Sequence, residues 1–255
     1  MPTVGVEFAK VSYTLPRSAD GQAGHVLLRD VSLRLEAGTT TAVLGRSGSG
    51  KTTLLRMVNG LVMPTSGEVL VQGRATGAYE AVGLRRGIGY VIQETGLFPH
   101  RTVEQNAGLA LELAGRSRGE IATRAAEVLG LAGLDFAELR GRYPWQLSGG
   151  QRQRVGVARA LALDPAVLLM DEPFGALDPL TRAEMQTMLR GLLEQMGKTV
   201  LLVTHDLDEA LYLADRVVFL EAGAVVADLP AGEVLRSENP HVKDYVNAVH
   251  RAVPV

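Results

Sequence analysis

The chain has 255 residues, of which 46% are hydrophobic and 21% charged, so it is long enough to bury a substantial core. Its net charge of −2 excludes the strongly basic surface of a typical nucleic-acid-binding protein, and we expect no nucleic-acid partner. The absence of cysteine excludes disulfides and thiolate metal sites.

The N-terminal residues lack the basic region and apolar core of a signal peptide. Apolar runs such as Ala166–Met170 have the length of strands, far below the ~20 residues that span a bilayer. We therefore expect a soluble chain whose contact with a membrane depends on a partner.

The first 35 residues alternate in polarity and predict two antiparallel strands, Val4–Thr14 and Val26–Leu35. A polar, glycine-containing hairpin connection, Arg17–His25, separates them. This pattern predicts an N-terminal antiparallel β-subdomain.

A short apolar strand, Thr41–Leu44, leads directly into Gly45-Arg46-Ser47-Gly48-Ser49-Gly50-Lys51-Thr52, followed by Thr53 and an apolar-periodic helix. This G-x-x-x-x-G-K-[ST] string is a phosphate-binding loop in the strand–loop–helix context that its chemistry requires. Backbone N–H groups and the helix N-terminus face phosphate oxygens, Lys51 approaches the β- and γ-phosphates, and the Thr52 hydroxyl is a ligand for Mg²⁺. The chain is therefore predicted to bind a nucleoside triphosphate.

Further along, strand patterns alternate with helical ones. Strands are predicted at Glu68–Val71, Ile88–Ile92, Val167–Met170, Val200–Val203 and Val217–Leu220, and helices at Thr181–Leu193, Leu207–Ala214 and His241–His250. Residues 102–163 read as helical. Apolar strands alternating with helices indicate a mostly parallel sheet covered on both faces. We predict an α/β phosphate-loop NTPase core formed by residues 1–93 and 161–255, interrupted by a helical subdomain at 94–160.

A second candidate phosphate site is the string Leu147-Ser148-Gly149-Gly150-Gln151, which precedes a strong helix. Ser148 fits the N-cap, and the bare glycines permit another surface to approach closely. A helix N-terminus with a serine hydroxyl is itself an anion receptor.

With this string the chain resembles the ATP-binding-cassette (ABC) ATPases, whose signature is matched letter for letter by Leu147–Gln151. The resemblance covers nearly the whole chain. It implies a head-to-tail dimer, or a paired cassette, that sandwiches two ATP molecules. Each signature helix, with Ser148, Gly149, Gly150 and Gln151, closes on the ATP held by the other subunit's phosphate loop.

Two acids, Asp171 and Glu172, end a buried strand at the edge where parallel sheets bind ligands. Asp171 is placed to hold Mg²⁺, and Glu172, which points differently along the strand, to polarise the attacking water. The alternative is a solvated acidic pair at the start of a loop. His205 follows a core strand, and by itself fits a solvated loop residue, but the resemblance implies the family's switch histidine. Asp206 and Glu209 fit a capping box for the next helix.

The resemblance also assigns Gln93 to the family's Q-loop, in which it ligates Mg²⁺ and bonds the water. Gly96–Pro99 of that loop would meet a membrane partner, although Leu97 and Phe98 equally fit local core packing. Asp178 fits both the interface-crossing D-loop and an N-cap. Tyr13 resembles the aromatic residue that stacks on adenine, and alternatively is an outward strand residue. No guanine-reading N-K-x-D string is present, which favours ATP.

Several classes of ABC protein remain to be distinguished. DNA-repair relatives have long coiled-coil or zinc-bearing insertions, translation-type relatives have two cassettes, and a metabolic kinase would leave Leu147–Gln151 unexplained. A single cassette of this length resembles the ATPase subunit of a bacterial-type transporter at the cytoplasmic face of the membrane. Its partners would be permease subunits and, indirectly, an extracytoplasmic substrate-binding protein.

The stretches Gly89–His100 and Met170–Pro179 resemble ATPases that import quaternary-amine osmoprotectants such as glycine betaine, carnitine and choline. Sulfonate, taurine and nitrate importers share much of the sequence of these stretches and remain alternatives, as does a soluble non-transport ATPase. Because the sequence ends shortly after its last predicted helix, we expect none of the tandem regulatory domains that many osmoprotectant relatives append.

Overall fold

The computed structural model describes residues 4–16 and 24–249. These residues divide into two compact units, one formed by the described residues up to 81 and from 201 onward, and the other by residues 82–200. The strands are β1 (Val4–Thr14), β2 (Val26–Glu36), β3 (Thr40–Leu44), β4 (Ser66–Val71), β5 (Arg74–Ala75), β6 (Ile88–Val91), β7 (Val167–Asp171), β8 (Thr199–Val203), β9 (Arg216–Glu221) and β10 (Ala224–Pro230). The helices are α1 (Lys51–Val58), α2 (Ala81–Arg86), α3 (Val103–Ala107), α4 (Leu109–Leu113), α5 (Arg118–Leu131), α6 (Phe136–Leu139), α7 (Gly149–Leu161), α8 (Pro179–Met196), α9 (Leu207–Leu213) and α10 (Pro240–Val249).

The first unit contains an antiparallel sheet and the strand that precedes the phosphate loop. In the antiparallel sheet the order is β2-β1-β4-β5, as the alternating N-terminal pattern predicts. The other strands of this unit follow the order β10-β9-β3-β8, with β3 parallel to β9 and β9 antiparallel to β10. Every residue of β3 is buried, which explains its continuous rather than alternating apolar character.

The second unit pairs β6 in parallel with β7, aligning Tyr90 with Leu169. The chain between these two strands forms α3–α7, and α7 packs against α3, α5 and β6. Serine caps begin the two longest of these helices: Ser117 and Ser148 each accept a backbone hydrogen bond from the third helical residue and form a capping box.

The predicted fold class is confirmed: an α/β core, an N-terminal antiparallel sheet and an inserted set of helices. Most predicted strands and helices agree within one to three residues at each end. The sequence analysis missed β10, an edge strand that ends at Pro230, because its residues do not form a buried apolar run. Of the predicted hairpin connection 17–25, residues 17–23 lie outside the described part of the chain. Within residues 4–16 and 24–249, no helix has the length and apolar character needed to cross a bilayer.

Candidate active site

The predicted phosphate loop connects β3 to α1, and the side chain of its lysine is hydrogen-bonded to the backbone at the start of the loop. Lys51 Nζ donates hydrogen bonds to the carbonyl oxygens of Gly45 at 2.8 Å and Arg46 at 3.1 Å. The Lys51 side chain is buried, whereas Thr52 and Thr53 in the first turn of α1 are half-buried. The ammonium group therefore has a fixed position beside the backbone of the loop.

The N-terminus of α1 has the features of an anion receptor. Gly50, its N-cap residue, has φ of 99° and supplies no side-chain cap for the first N–H groups. Ser49 Oγ is buried and has no hydrogen-bond partner among the described residues. Amides that no side chain caps, the positive end of a helix dipole and a buried lysine together fit bound phosphate groups.

At the end of β7, the two predicted acids contact different neighbours. Asp171 is 2% exposed and accepts a long hydrogen bond of 3.4 Å from the Tyr90 hydroxyl. Glu172 is half-buried, and its Oε2 accepts a 3.4 Å hydrogen bond from Gln93 Nε2. The structure thus brings Gln93 and Glu172 together. Glu172 follows the end of β7 with φ of 45°, so this left-handed backbone, rather than the predicted strand alternation, directs its side chain away from that of Asp171.

The predicted N-cap at Ser148 is confirmed. Ser148 Oγ accepts from the Gln151 N–H at 3.1 Å, and the Gln151 side chain accepts from the Ser148 N–H at 2.9 Å. Gly150 has a contact within the chain that the sequence did not predict, because a Cβ there would lie 2.5 Å from Thr181 Cγ2 on α8. Its small size therefore permits packing between α7 and α8 of one chain, whether or not another surface also approaches.

An exposed aromatic pair precedes this helix and was not singled out in the sequence. The Tyr143 and Trp145 rings stack with centroids 4.5 Å apart and an interplanar angle of 8°. Trp145 is 66% exposed, three residues before Ser148.

The loop after β8 is held by buried polar contacts on either side of the exposed His205. Thr204 Oγ1 donates to Glu209 Oε2 at 2.6 Å and accepts from the Asp206 N–H at 3.0 Å. The His205 carbonyl oxygen accepts from the Tyr245 hydroxyl at 2.8 Å. Asp206 caps α9 as expected, by accepting from the Glu209 N–H, but the predicted reciprocal bond is replaced because the Glu209 carboxylate accepts the Thr204 hydroxyl instead.

The remaining predicted residues have simpler surroundings. Asp178 caps α8 by accepting from the Thr181 N–H at 3.1 Å, and hydrogen bonds from Thr181 lower the pKa of this exposed carboxyl. Tyr13 is half-buried on β1, opposite Leu28. Phe98 is 41% exposed, so core packing does not account for it.

The predicted site residues belong to both units. Lys51, Thr52 and His205 lie in the first unit, whereas Gln93, Asp171, Glu172, Ser148 and Asp178 lie in the second. Within residues 4–16 and 24–249, no group of three or more His, Asp and Glu side chains is arranged to hold a metal ion. The fit to Mg²⁺ therefore depends on the donor chemistry of Thr52, Gln93 and Asp171: a hydroxyl, an amide oxygen and a carboxylate are all oxygen donors of the kind Mg²⁺ binds.

Tyr90, Thr204 and Tyr245 were not predicted from the sequence. They contact four residues that were: Asp171, Asp206, Glu209 and His205. Thr204 carries a signal, since it is a polar residue that immediately follows a continuously apolar strand. Tyr245 has no such signal, because its contact with His205 spans 40 positions of sequence.

Comparison with known proteins gives a consistent result. A family model described as ABC transporter matches residues 28–175. The osmoprotectant import ATP-binding protein OsmV of Salmonella typhimurium is 44% identical over 85% of this chain, which spans 57% of that relative's length. The glycine betaine uptake system ATP-binding protein YehX of Escherichia coli is 47% identical over 86% of this chain, and the match covers 71% of that relative's length. A methionine import ATP-binding protein, MetN of Caulobacter vibrioides, is 45% identical over 84% of this chain and 64% of its own.

Among solved structures, a dimeric ATP-binding cassette in a post-hydrolysis state, bound to ADP and phosphate, superposes with a TM-score of 0.78. It is 35% identical in sequence, and the match covers 89% of this chain and 98% of that one.

Proposed function

This chain belongs to the ABC transporter family, and on that premise we propose that it is an ATP-hydrolysing subunit that works in a head-to-tail pair to drive solute import. The observation that best supports nucleotide binding is the phosphate loop, in which buried Lys51 lies beside the uncapped N-terminus of α1. In this proposal Tyr13 stacks on adenine, and the loop Gly45–Thr53 holds the phosphates.

Hydrolysis is assigned to groups that surround the terminal phosphate. In this proposal Glu172 orients and polarises the attacking water, and the 3.4 Å hydrogen bond that its carboxylate accepts from Gln93 supports a role for both residues at one site. His205 would contact the γ-phosphate. Mg²⁺ would be held by Thr52, Gln93 and Asp171 and would supply positive charge to the phosphate oxygens.

The pair is supported by the similarity to a dimeric cassette along nearly its whole length. Ser148, Gly149, Gly150 and Gln151 of one subunit would complete the site of the other, with Asp178 at the interface. Residues 94–160 would act as the subdomain that presents this string, and residues 1–93 and 161–255 as the nucleotide-binding core. The dimer would close on ATP and open after hydrolysis.

Coupling to transport is assigned to the loop that follows Gln93, where exposed Phe98 is suited to contact a permease subunit at the cytoplasmic face of the membrane. Quaternary-amine osmoprotectants are the proposed solutes, because relatives with 43–47% identity are named as ATP-binding proteins of osmoprotectant import, carnitine transport or glycine betaine uptake. The methionine-import relative at 45% identity keeps other small solutes as the second candidate. An extracytoplasmic binding protein would deliver the solute.

Glu172→Gln tests the enzymatic proposal. The variant is expected to bind ATP, lose nearly all turnover, and elute as a dimer with Mg-ATP during size exclusion. Glu233→Gln, which neutralises an exposed carboxylate near the C-terminus, is the matched control and is expected to behave as wild type. Turnover by Glu172→Gln at the wild-type rate would contradict the assigned role.

The solute is tested separately by calorimetric titration of the binding protein encoded beside this gene. Binding of glycine betaine or choline supports the osmoprotectant proposal. Binding of methionine or a sulfonate in their place would refute it and leave the enzymatic proposal intact.

A further inference from the structure

The loop after Gln93 has an unusual backbone. Glu94, Thr95 and Gly96 have φ of 62°, 60° and 52°, so three successive residues adopt the left-handed conformation. Glu and Thr rarely do so, because Cβ then approaches the backbone oxygen. A side chain at Gly96 would force Ile92 to shift, since a Cβ there would lie 2.1 Å from Ile92 Cδ1. Such a backbone persists only where surrounding contacts determine it.

Those contacts come from Arg159, near the C-terminal end of α7. Its Nη2 donates to the Thr95 carbonyl oxygen and its Nη1 to the Gly96 carbonyl oxygen, each at 2.7 Å. The guanidinium is largely buried, and burial lowers the pKa of Arg159 from its ordinary value, although the group stays charged at neutral pH. One turn earlier, Gly156 lies against Thr95, where a Cβ would be 3.7 Å from the Thr95 oxygen.

A planar fork is required for this arrangement. Two N–H groups that point in parallel satisfy two adjacent carbonyl oxygens, whereas a lysine ammonium is a single point that cannot reproduce both bonds with that geometry. Arg159 thus holds the left-handed turn that begins directly after Gln93, and Gln93 in turn contacts Glu172.

The same helix begins at the Ser148 cap. Arg159 lies ten positions after Gly149, so about 15 Å of continuous α-helix joins the two residues. One continuous helix therefore connects the Ser148 cap to the loop after Gln93, to which Arg159 is hydrogen-bonded.

We propose that Arg159 is a positioning residue for hydrolysis: it fixes the loop that directs Gln93 toward Glu172 and couples that loop to the signature helix. The roles of Gln93, Glu172 and Ser148 in this statement rest on the proposed function.

The test compares Arg159→Met and Arg159→Lys with Arg154→Met in the full chain. Arg154 is a matched control, because it lies on the same helix and donates to a backbone carbonyl, that of Ala132 at 3.0 Å, but not to the Gln93 loop. Arg159→Met is expected to lower kcat at least tenfold while the affinity for a fluorescent ATP analogue stays within twofold. Arg159→Lys is expected to be intermediate, and Arg154→Met to keep kcat within twofold of wild type.

Hydrogen exchange gives a readout independent of turnover. Amides of residues 93–97 are expected to exchange at least tenfold faster in Arg159→Met than in the wild type. In Arg154→Met their exchange rates are expected to equal those of the wild type. Unchanged exchange in this loop, or equal losses of kcat in the two methionine variants, would overturn the positioning role. If Glu172→Gln hydrolyses ATP normally while hydrogen exchange in the loop rises in Arg159→Met as expected, the proposed function fails, but the positioning of the loop by Arg159 is still supported. If Arg159→Met does not fold, the same comparisons are made with Arg159→Lys.

Discussion

Thr204→Val is expected to destabilise the protein by about 3 kcal/mol, because one buried hydroxyl holds both sides of the His205 loop. Thr204 and Glu209 are 1% and 4% exposed, and the hydroxyl donates to the carboxylate at 2.6 Å. A hydrogen bond to a charged group contributes about 1.5–3 kcal/mol, and the neutral bond from the Asp206 N–H at 3.0 Å about 0.5–1.5 kcal/mol. Valine has nearly the same shape, so no cavity adds to this loss.

The measurement is thermal unfolding followed by circular dichroism. At about 2–4 °C per kcal/mol for a chain of this size, the midpoint should fall by about 6–12 °C. Thr204→Ser is the control, since it keeps the hydroxyl and removes one methyl group, a change that costs about 1 kcal/mol. Equal destabilisation by serine and valine would mean that packing, rather than the hydroxyl, stabilises the loop, and the reasoning would be refuted.

Three other substitutions test separate features. Burial raises the pKa of Tyr245, so the free energy of unfolding of the wild type should fall as the pH rises above about 10, the ordinary tyrosine value. Chemical denaturation should show that the free energy of unfolding of Tyr245→Phe falls less steeply over the same pH range. Ser148→Ala removes the helix cap and should cost about 1 kcal/mol in urea unfolding; on the dimer proposal, turnover also falls while the ATP affinity of the isolated subunit is retained. Gly150→Ala places a Cβ against Thr181 and should destabilise the protein by about 1–3 kcal/mol, with partial recovery in the double variant with Thr181→Ser; no recovery would point away from that contact.

Local patterns were sufficient to predict the parts of the molecule that depend on local physics. The buried strand before Gly45, the helix from Lys51 and the caps at Ser148 and Asp178 follow from apolar runs and capping residues within a few positions. These elements, with the order of strands and helices, give the fold class.

Contacts between distant segments were not predictable in this way. The left-handed turn at Glu94 and Thr95 is hydrogen-bonded by Arg159, which lies more than 60 positions later in the sequence. Similarly, the contact of Gly150 with Thr181 exists only once α7 and α8 pack together. A short sequence window contains only one partner of such pairs, so the pattern shows that a residue is special without showing what it touches. The catalytic and interface roles of the predicted site residues stay predictions.

The stacked ring at position 145 has a practical consequence, because it is the sole indole in the chain. All tryptophan emission of the molecule originates at one known, solvent-facing position beside the cap of α7. A spectral change on mixing with nucleotide therefore reports events at that helix tip in real time, with no label attached and no competing chromophore of its kind to subtract.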